Sequence, residues 1–505
     1  MRTLLINGRI HSPRVGDTSA MLVQDSTIRW LGSDPDVVRD SADRVIDVRG
    51  AIVIPAFVDA HFHCTDTGLA LTGLDLSQAR SLTEALSLVE RHARASRGRP
   101  VLGSGWDDTT WPERRAPTAA EIDRASYGGV VYLSRVDAHS AVVSSALLAA
   151  MGDRSALVGD LGDGLLVAAA HHAARSIALA GITDGQRRDL QRHALSAAAA
   201  AGIAAVHEMA GPEISSAQDF AELLALADAE VLPEVYGYWG ELGGIDQARE
   251  LGAVGAGGDL FCDGSLGSRT AALSRPYSDS DTSGYLRYEA DELVTHIRDC
   301  TRAGLQAGFH AIGDAAVAQV VEAVVRAGAE AIAAGHRVEH AEMIPDVQAL
   351  ATAGLVASVQ PAFDAVWGGP DGMYAERLGP DRSAKLNPIG PLHSAGVSLA
   401  FGSDSPVTAI DPWAAVRAAC SPSNPIHALS VAYALEAHTR GGWLAARAGA
   451  DGSGLLEVGA PATFAIFAAE PGARAENLLT PSPVALPAQR TVLRGVVLFD
   501  SGELE

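Results

Sequence analysis

Apolar and polar positions change rhythm twice along this chain. Over residues 1–55, short aliphatic runs are cut by turn residues: Leu4-Leu5-Ile6 stops at Asn7-Gly8, Ala20-Met21-Leu22-Val23 at Asp25-Ser26, and Ile28-Arg29-Trp30-Leu31 at Gly32. A fourth run, Val45-Ile46-Asp47-Val48, follows. So few strands do not close a sheet comfortably, and the far end of the chain offers their complement. There, Ala462-Thr463-Phe464-Ala465-Ile466-Phe467 and Thr491-Val492-Leu493-Arg494-Gly495-Val496-Val497-Leu498 also read as strands. The pattern predicts one discontinuous β-sandwich built from residues 1–55 and 455–505, with the rest of the chain inserted into it.

From residue 56 the rhythm becomes short apolar strands separated by long alanine-rich helical stretches, the signature of βα units around a parallel sheet. Strands are predicted at 57–61, 203–207, 232–238, 258–262, 305–310, 337–340, 356–360 and 398–404. Eight such units predict an α/β fold, a TIM-like (β/α)8 barrel over residues 56–454. The interval from about 65 to 195 is far too long for a βα loop. It is read as an insertion after the first barrel strand, with a strand at 130–133 and a helix at 187–201, that covers the barrel mouth.

Barrels of this kind carry their site at the carboxyl ends of the strands, and residues able to do chemistry stand there. The first strand closes with Asp59-Ala60-His61-Phe62-His63, whose two imidazoles project from one side of an extended chain. His310, His340 and Asp404 close the fifth, sixth and eighth strands. Imidazole nitrogen and carboxylate oxygen suit a divalent metal such as Zn2+, and a catalytic site keeps one position for water, which the ion acidifies. Asp404 is then the expected general base and later proton donor to a leaving nitrogen. His340 is either a further ligand or a hydrogen-bond donor to a developing oxyanion.

Other candidates carry two readings each. Trp106, Asp107 and His139 in the insertion line a substrate pocket, or, for Trp106, belong to a core. Asp263 and Arg269 flank a glycine-rich turn after the fourth strand and either clamp a polar substrate group or pin the loop. His207 and Glu208 end the second strand facing opposite ways, so one alone should see the barrel mouth. His171-His172, in an alanine-rich helix, reads as a solvated face.

Composition narrows the partners. With 505 residues, 48% of them hydrophobic, the chain buries a large core, and a net charge of -23 repels nucleic acid and anionic membrane surfaces. A small neutral or cationic substrate fits that charge; a homodimer is left open. No apolar run is long enough to span a bilayer, and the amino-terminal stretch turns at Asn7-Gly8 before a secretory core develops, so a cytoplasmic location is expected. Cys64, Cys262, Cys300 and Cys420 are scattered, as in a reducing compartment without disulfides.

Taken together, several segments resemble the metal-dependent amidohydrolase superfamily, in particular the amidohydrolase 3 branch that includes N-substituted formamide deformylases. They are Asp59-Ala60-His61-Phe62-His63, Gly105-Trp106-Asp107, Arg135-Val136-Asp137-Ala138-His139, the run from Asp263-Gly264-Ser265 to Ala272-Leu273, His310-Ala311-Ile312-Gly313-Asp314, Arg337-Val338-Glu339-His340 and Gly402-Ser403-Asp404-Ser405-Pro406. The resemblance implies a barrel plus β-sandwich, hydrolysis at an amide-like carbon, and metal ligation by His61, His63 and His310, with His340 and Asp404 completing the site. Many relatives carry a lysine four residues before the Asp-Gly pair, whose carbamate bridges two metals; here that position is Asp259. Its side chain is shorter by roughly four bonds, so a single ion is expected, unless Asp259, Glu208 or Cys262 stands in from a shifted backbone.

The expected function is hydrolysis of a non-peptide C–N bond in an amide, an N-substituted formamide or a cyclic amide. Two alternatives stand beside it: a deaminase of an amino-substituted ring, which a one-ion site would suit, and a catalytically silent barrel kept for binding.

Overall fold

The computed structural model describes residues 1–12, 16–96, 98–468 and 486–504. At its centre is one parallel sheet of eight strands, β1 (Phe57–Phe62), β2 (Ile203–Ala210), β3 (Glu234–Trp239), β4 (Gly255–Ala256), β5 (Gln306–Ala311), β6 (Arg337–His340), β7 (Val356–Val359) and β8 (Leu399–Phe401). Neighbours in the sheet follow chain order. The two edges meet where the Asp404 N–H donates to the His61 carbonyl at 2.8 Å and Phe62 bridges Ser405, so the sheet nearly closes into a TIM-like barrel. Its outer face is apolar and packs on the intervening helices, with Phe309, Val338, Ile297, Val320 and Val416 among the buried contacts. The inside of the barrel is filled by polar groups as well. The Arg337 guanidinium bonds Glu339 and the Ala60 carbonyl, contacts His207 and lies over the Tyr238 ring.

The fourth strand sits elsewhere than its hydrophobic run at 258–262 suggests. Gly257 and Gly258 have φ of 148° and 83°, and a Cβ on Gly257 would lie 2.2 Å from the Gly308 nitrogen. Only glycine permits so close a crossing of β5. The chain leaves the ladder at Ala256, swings inward, and rejoins β5 through Leu260 and Cys262, whose backbone groups bond His310 at 3.1 and 2.9 Å. Asp259 rides on the detour.

Between β1 and β2 the chain forms a separate five-stranded sheet of Leu74–Asp75, Val101–Trp106, Val131–Arg135, Ser140–Val143 and Leu165–Val167, with its own apolar core. Helix Ala168–Leu179 follows it and helix Asp184–Ala200 leads back to the barrel. The two ends of the chain supply two further sheets. Arg2–Ile6, Ala20–Gln24, Thr27–Gly32 and Arg44–Asp47 make one; Arg9–Ile10, Ile52–Pro55, Phe464–Phe467, Ala488–Leu493 and Val496–Asp500 make the other. Both bury side chains in a common core that includes Leu5, Met21, Ile46, Val53 and Ile466. The run 491–498, read as one strand, is instead two strands of a hairpin, because Arg494 and Gly495 both adopt positive φ, 47° and 80°, and turn the chain back. Residues 469–485 of the expected sandwich lie outside the described residues.

Candidate metal centre

Four strand ends and one detour deliver six polar side chains to one point. The carboxylate of Asp259 lies in the middle. Its Oδ2 is 3.3 Å from Nε2 of both His61 and His63, and its Oδ1 is 3.5 Å from Nδ1 of His310 and from Nε2 of His340. Asp404 closes the cluster, its Oδ1 3.0 Å from Nε2 of His63 and 3.5 Å from that of His61. His340 and Asp404 hold left-handed backbone angles, φ 67° and 53°, an uncommon conformation for residues with side chains and one that concentrates at functional sites.

Whether these residues fit a metal can be tested on their hydrogen bonds. In every histidine the nitrogen turned away from the cluster is engaged: His61 Nδ1 with Glu339 at 3.0 Å, His63 Nδ1 with the Met209 carbonyl at 2.9 Å, His310 Nε2 with the Gly264 carbonyl at 3.3 Å, and His340 Nδ1 with Gln360 at 2.9 Å. The inward atoms, His61 Nε2, His310 Nδ1, His340 Nε2 and Asp259 Oδ1, are buried and have no hydrogen-bond partner among the described residues. Outward nitrogens fixed by carbonyl or carboxylate and inward nitrogens left free are what metal-ligating histidines require. The residues present therefore fit divalent ions.

Charge agrees with that. Burial opposes ionisation of Asp259, yet the surrounding imidazoles of His61, His310 and His340 hold it well below the usual carboxylate range; Asp404 is lowered against burial by His61 and His63. Burial likewise works against protonated His61, but Asp259 and Asp404 push it up to about 10. A cation seated here replaces protons that His61 and His63 otherwise keep.

The structure sorts the sequence candidates. It brings together His61, His63, His310, His340 and Asp404, and adds Asp259, whose short side chain reaches all four imidazoles because the Gly257-Gly258 detour carries its backbone inward. The reach expected to fail is supplied by the main chain. His139 stands beside His310, ring centroids 4.9 Å apart, on the wall of two cavities that meet at the cluster. Burial and the neighbouring His310 push its pKa down to about 3, which keeps it neutral.

Most other candidates lie apart from those walls. Trp106 is core: its indole N–H donates to the Leu133 carbonyl at 2.9 Å and its ring packs near Trp111. Asp107 pairs with Arg135 at 2.8 Å, Arg135 holds Asp137, and so the trio steadies the loop bearing His139. Asp263 accepts N–H groups of Ala272, Ile312 and Gly313 at 2.8–3.0 Å and pins the loops after β4 and β5. Arg269 pairs with Asp279 at 2.7 Å, half-exposed. Neither His207 nor Glu208 joins the cluster: the first contacts Arg337 inside the barrel and the second accepts the Cys64 N–H at 2.7 Å. Cys64 and Cys262 are buried in the barrel core, where burial pushes both thiols well up. His171 and His172 are not a solvated face. They line the larger cavity, His171 bonded to the Tyr132 hydroxyl at 2.8 Å, because the helix carrying them turns that side toward the barrel.

Residue-level reading assigned no role to four supporting groups. Glu339, fully buried and paired with Arg337, orients His61; Gln360 orients His340; Asp59 accepts the N–H groups of Ser403 and His61 and so ties β1 to the loop after β8. Glu342 lies in the smaller cavity. The alternation Arg337-Val338-Glu339-His340 puts Arg337 and Glu339 on one face of a strand, a signal for the pair though not for its partner.

Comparison with known proteins fits this geometry. Residues 44–499 match the amidohydrolase family profile, and the chain belongs to that family. It is a hydrolase of the amidohydrolase superfamily, acting on carbon–nitrogen bonds. YtcJ of Bacillus subtilis (strain 168), whose name places it among amidohydrolases, is 25% identical over 96% of both chains. The N-substituted formamide deformylase of Arthrobacter pascens is 31% identical over 30% of each chain. Among solved structures, an uncharacterized metal-dependent hydrolase from Pyrococcus furiosus aligns over 92% of this chain and 98% of its own, with 28% identity and a TM-score of 0.72.

Proposed function

We propose that this enzyme hydrolyses the C–N bond of a small amide, N-substituted formamide or cyclic amide with two divalent ions, zinc by donor type, which His61, His63, Asp259, His310, His340 and Asp404 would hold. One observation carries the two-ion reading: the two oxygens of a single buried carboxylate are divided between the pair His61 and His63 and the pair His310 and His340. A bound ion of this kind polarises a carbonyl and acidifies water. The chain's own groups do the rest. Asp404, ionised against burial, accepts the proton of the attacking water and returns it to the departing nitrogen. Glu339 keeps the His61 proton on Nδ1, so that Nε2 faces the centre unprotonated once an ion is bound. The insertion, about 65–195, supplies His139, Tyr132 and His171 to the walls of the larger cavity. In this reading the terminal sandwich, 1–55 and 455–505, supports the barrel, and none of its described residues contributes to the chemistry.

Elemental analysis of the purified chain, with assays of formate, amine and ammonia release from a panel of N-substituted formamides, simple amides and cyclic amides, tests the reading. Two ions per chain are expected, falling to one or none in Asp259→Ala, with release of amine or ammonia from an open-chain amide or appearance of the ring-opened product from a cyclic one. Ammonia released from an amino-substituted ring would replace the reading with a deaminase; a chain free of metal and inert throughout would overturn both.

A further inference from the structure

We infer that the His139 imidazole is a catalytic donor, its N–H hydrogen-bonding the oxygen of the scissile carbonyl as negative charge gathers there. The inference rests on the reading that a C–N bond is broken at the Asp259 centre.

Two cavities meet at that centre, and Asp137, His139, His310, His340, Asp404 and Val407 border both. A substrate whose reacting carbon sits at the junction, with one substituent in each cavity, faces those residues. Val407 is apolar, and the carboxylates of Asp137 and Asp404 accept. His310 and His340 turn one nitrogen into the cluster and have the other engaged, with the Gly264 carbonyl and with Gln360. His340, for which a strand-end position left both ligand and oxyanion donor open, therefore has no N–H to spare. His139 differs. No described residue forms a hydrogen bond with either of its ring nitrogens, and it belongs to none of the three donor groups able to hold an ion. Every imidazole carries an N–H, whatever its tautomer.

The main chain beneath this ring is firmly held. Asp137 Oδ2 accepts from Arg135 at 3.0 Å, Ser265 at 2.8 Å and Ser268 at 2.7 Å, while its Oδ1 accepts the main-chain N–H of His139 at 3.3 Å. Arg135 and Asp137 belong to the insertion, Ser265 and Ser268 to the loop after the β4 detour, so the network ties insertion to barrel beside the ring. Gly267 lets the two pack closely: a Cβ there would lie 2.7 Å from both Arg135 Nη1 and Asp137 Oδ2. Ala138 is held at φ 55°, a left-handed angle that costs energy for alanine and persists where its surroundings impose it. The ring itself rests against Phe261 and His310, with centroids 5.6 and 4.9 Å away. Polar contacts thus fix the backbone and leave the ring nitrogens to the junction.

When a water oxygen bonds to the amide carbon and its proton passes to Asp404, the C=O π pair moves onto the carbonyl oxygen. That pair returns as the C–N bond breaks and the nitrogen takes up the proton. An N–H aimed at the oxygen is best matched between those two events, so it lowers the barrier more than it tightens substrate binding.

The test uses the metal-loaded full chain and two probes, methylphosphonate, whose oxygens surround a tetrahedral centre, and planar, neutral propionamide, with metal content measured on the same samples. His139→Phe keeps a flat ring against Phe261 and His310 and removes the N–H; His139→Gln keeps an N–H. By calorimetry, His139→Phe should weaken methylphosphonate binding about tenfold or more and propionamide binding less than about threefold, at unchanged metal content. On the amide of the panel that turns over fastest, kcat should fall about 10²-fold with KM within about threefold, and His139→Gln should recover about tenfold of that loss. Methylphosphonate bound equally by wild-type and His139→Phe chains, equal loss for both probes, or loss of metal in His139→Phe overturns the donor role. With metal and amide turnover intact in the unsubstituted chain, the hydrolase reading then still stands. A chain with neither metal nor turnover overturns both.

Discussion

Glu339 illustrates how one buried side chain governs another. Alone, a carboxylate sealed inside a barrel would be strongly disfavoured, and burial does raise its pKa; Arg337 and His61 more than reverse that and bring it down to about 2. Its charge in turn holds the His61 ring in one orientation. Glu339→Gln preserves shape and removes the charge, so metal affinity should fall about 10- to 100-fold, read by competition with a chelator of known affinity. Unaltered affinity would deny Glu339 that influence. Asp404→Asn should lower kcat by about 10²-fold or more, the usual contribution of a positioned acid–base group, even where metal content is restored. If turnover survives in metal-replete Asp404→Asn, proton transfer belongs to another group.

At the scale of elements, the crossing of β4 and β5 decides what reaches the centre. A Cβ on Gly257 would press on the Gly308 backbone at 2.2 Å, and backbone cannot swing aside as a flexible side chain can. Gly257→Ala should therefore cost about 2–5 kcal/mol in chemical denaturation, combining overpacking with an unfavourable φ, and should also lower metal content because Asp259 moves with the strand. Loss of stability with full metal content would separate the crossing from the site. The eight-strand rhythm was legible from apolar runs, since β1, β5 and β6 coincide with theirs within a residue. The position of β4 was not: in the run Leu260-Phe261-Cys262 the first and last residues are buried and Phe261 lines the larger cavity, and hydrophobicity alone does not distinguish a ladder from a detour.

Over the whole molecule, buried neutral histidines remote from the centre set the response to acid. His336 accepts the Ala307 N–H at Nδ1, and the Thr301 hydroxyl, which donates to the Ile297 carbonyl, accepts from its Nε2. A second ring proton would face that N–H, and burial, with Arg447 nearby, lowers its pKa to about 4; burial does the same to His438, also to about 4. Both are neutral when folded, while the unfolded chain takes up their protons below about 6.5. Their stabilisation is complete above pH 6.5, declines as pH falls from 6.5 toward 4, by about 1.4 kcal/mol per pH unit for each histidine, and changes no further below. Denaturation of the metal-saturated chain at pH 7, 6, 5 and 4 should follow that slope, and His336→Gln should reduce it by about one proton; a flat profile would contradict the assignment.

The local pattern of residues by itself determined the rhythm of strands, the presence of strands at both ends of the chain and which histidines and aspartates stand at strand ends, because each is written in periods of two or 3.6 residues and in punctuation by glycine and asparagine. Tertiary structure alone decided that Asp259 lies among four imidazoles, that Trp106 and Arg269 face away from the site, that His171 and His172 face into it, and that His139 borders both cavities. Those outcomes depend on where a backbone passes and which way a helix is turned against its neighbours. Both are set by contacts between residues far apart in the chain, which no local pattern encodes.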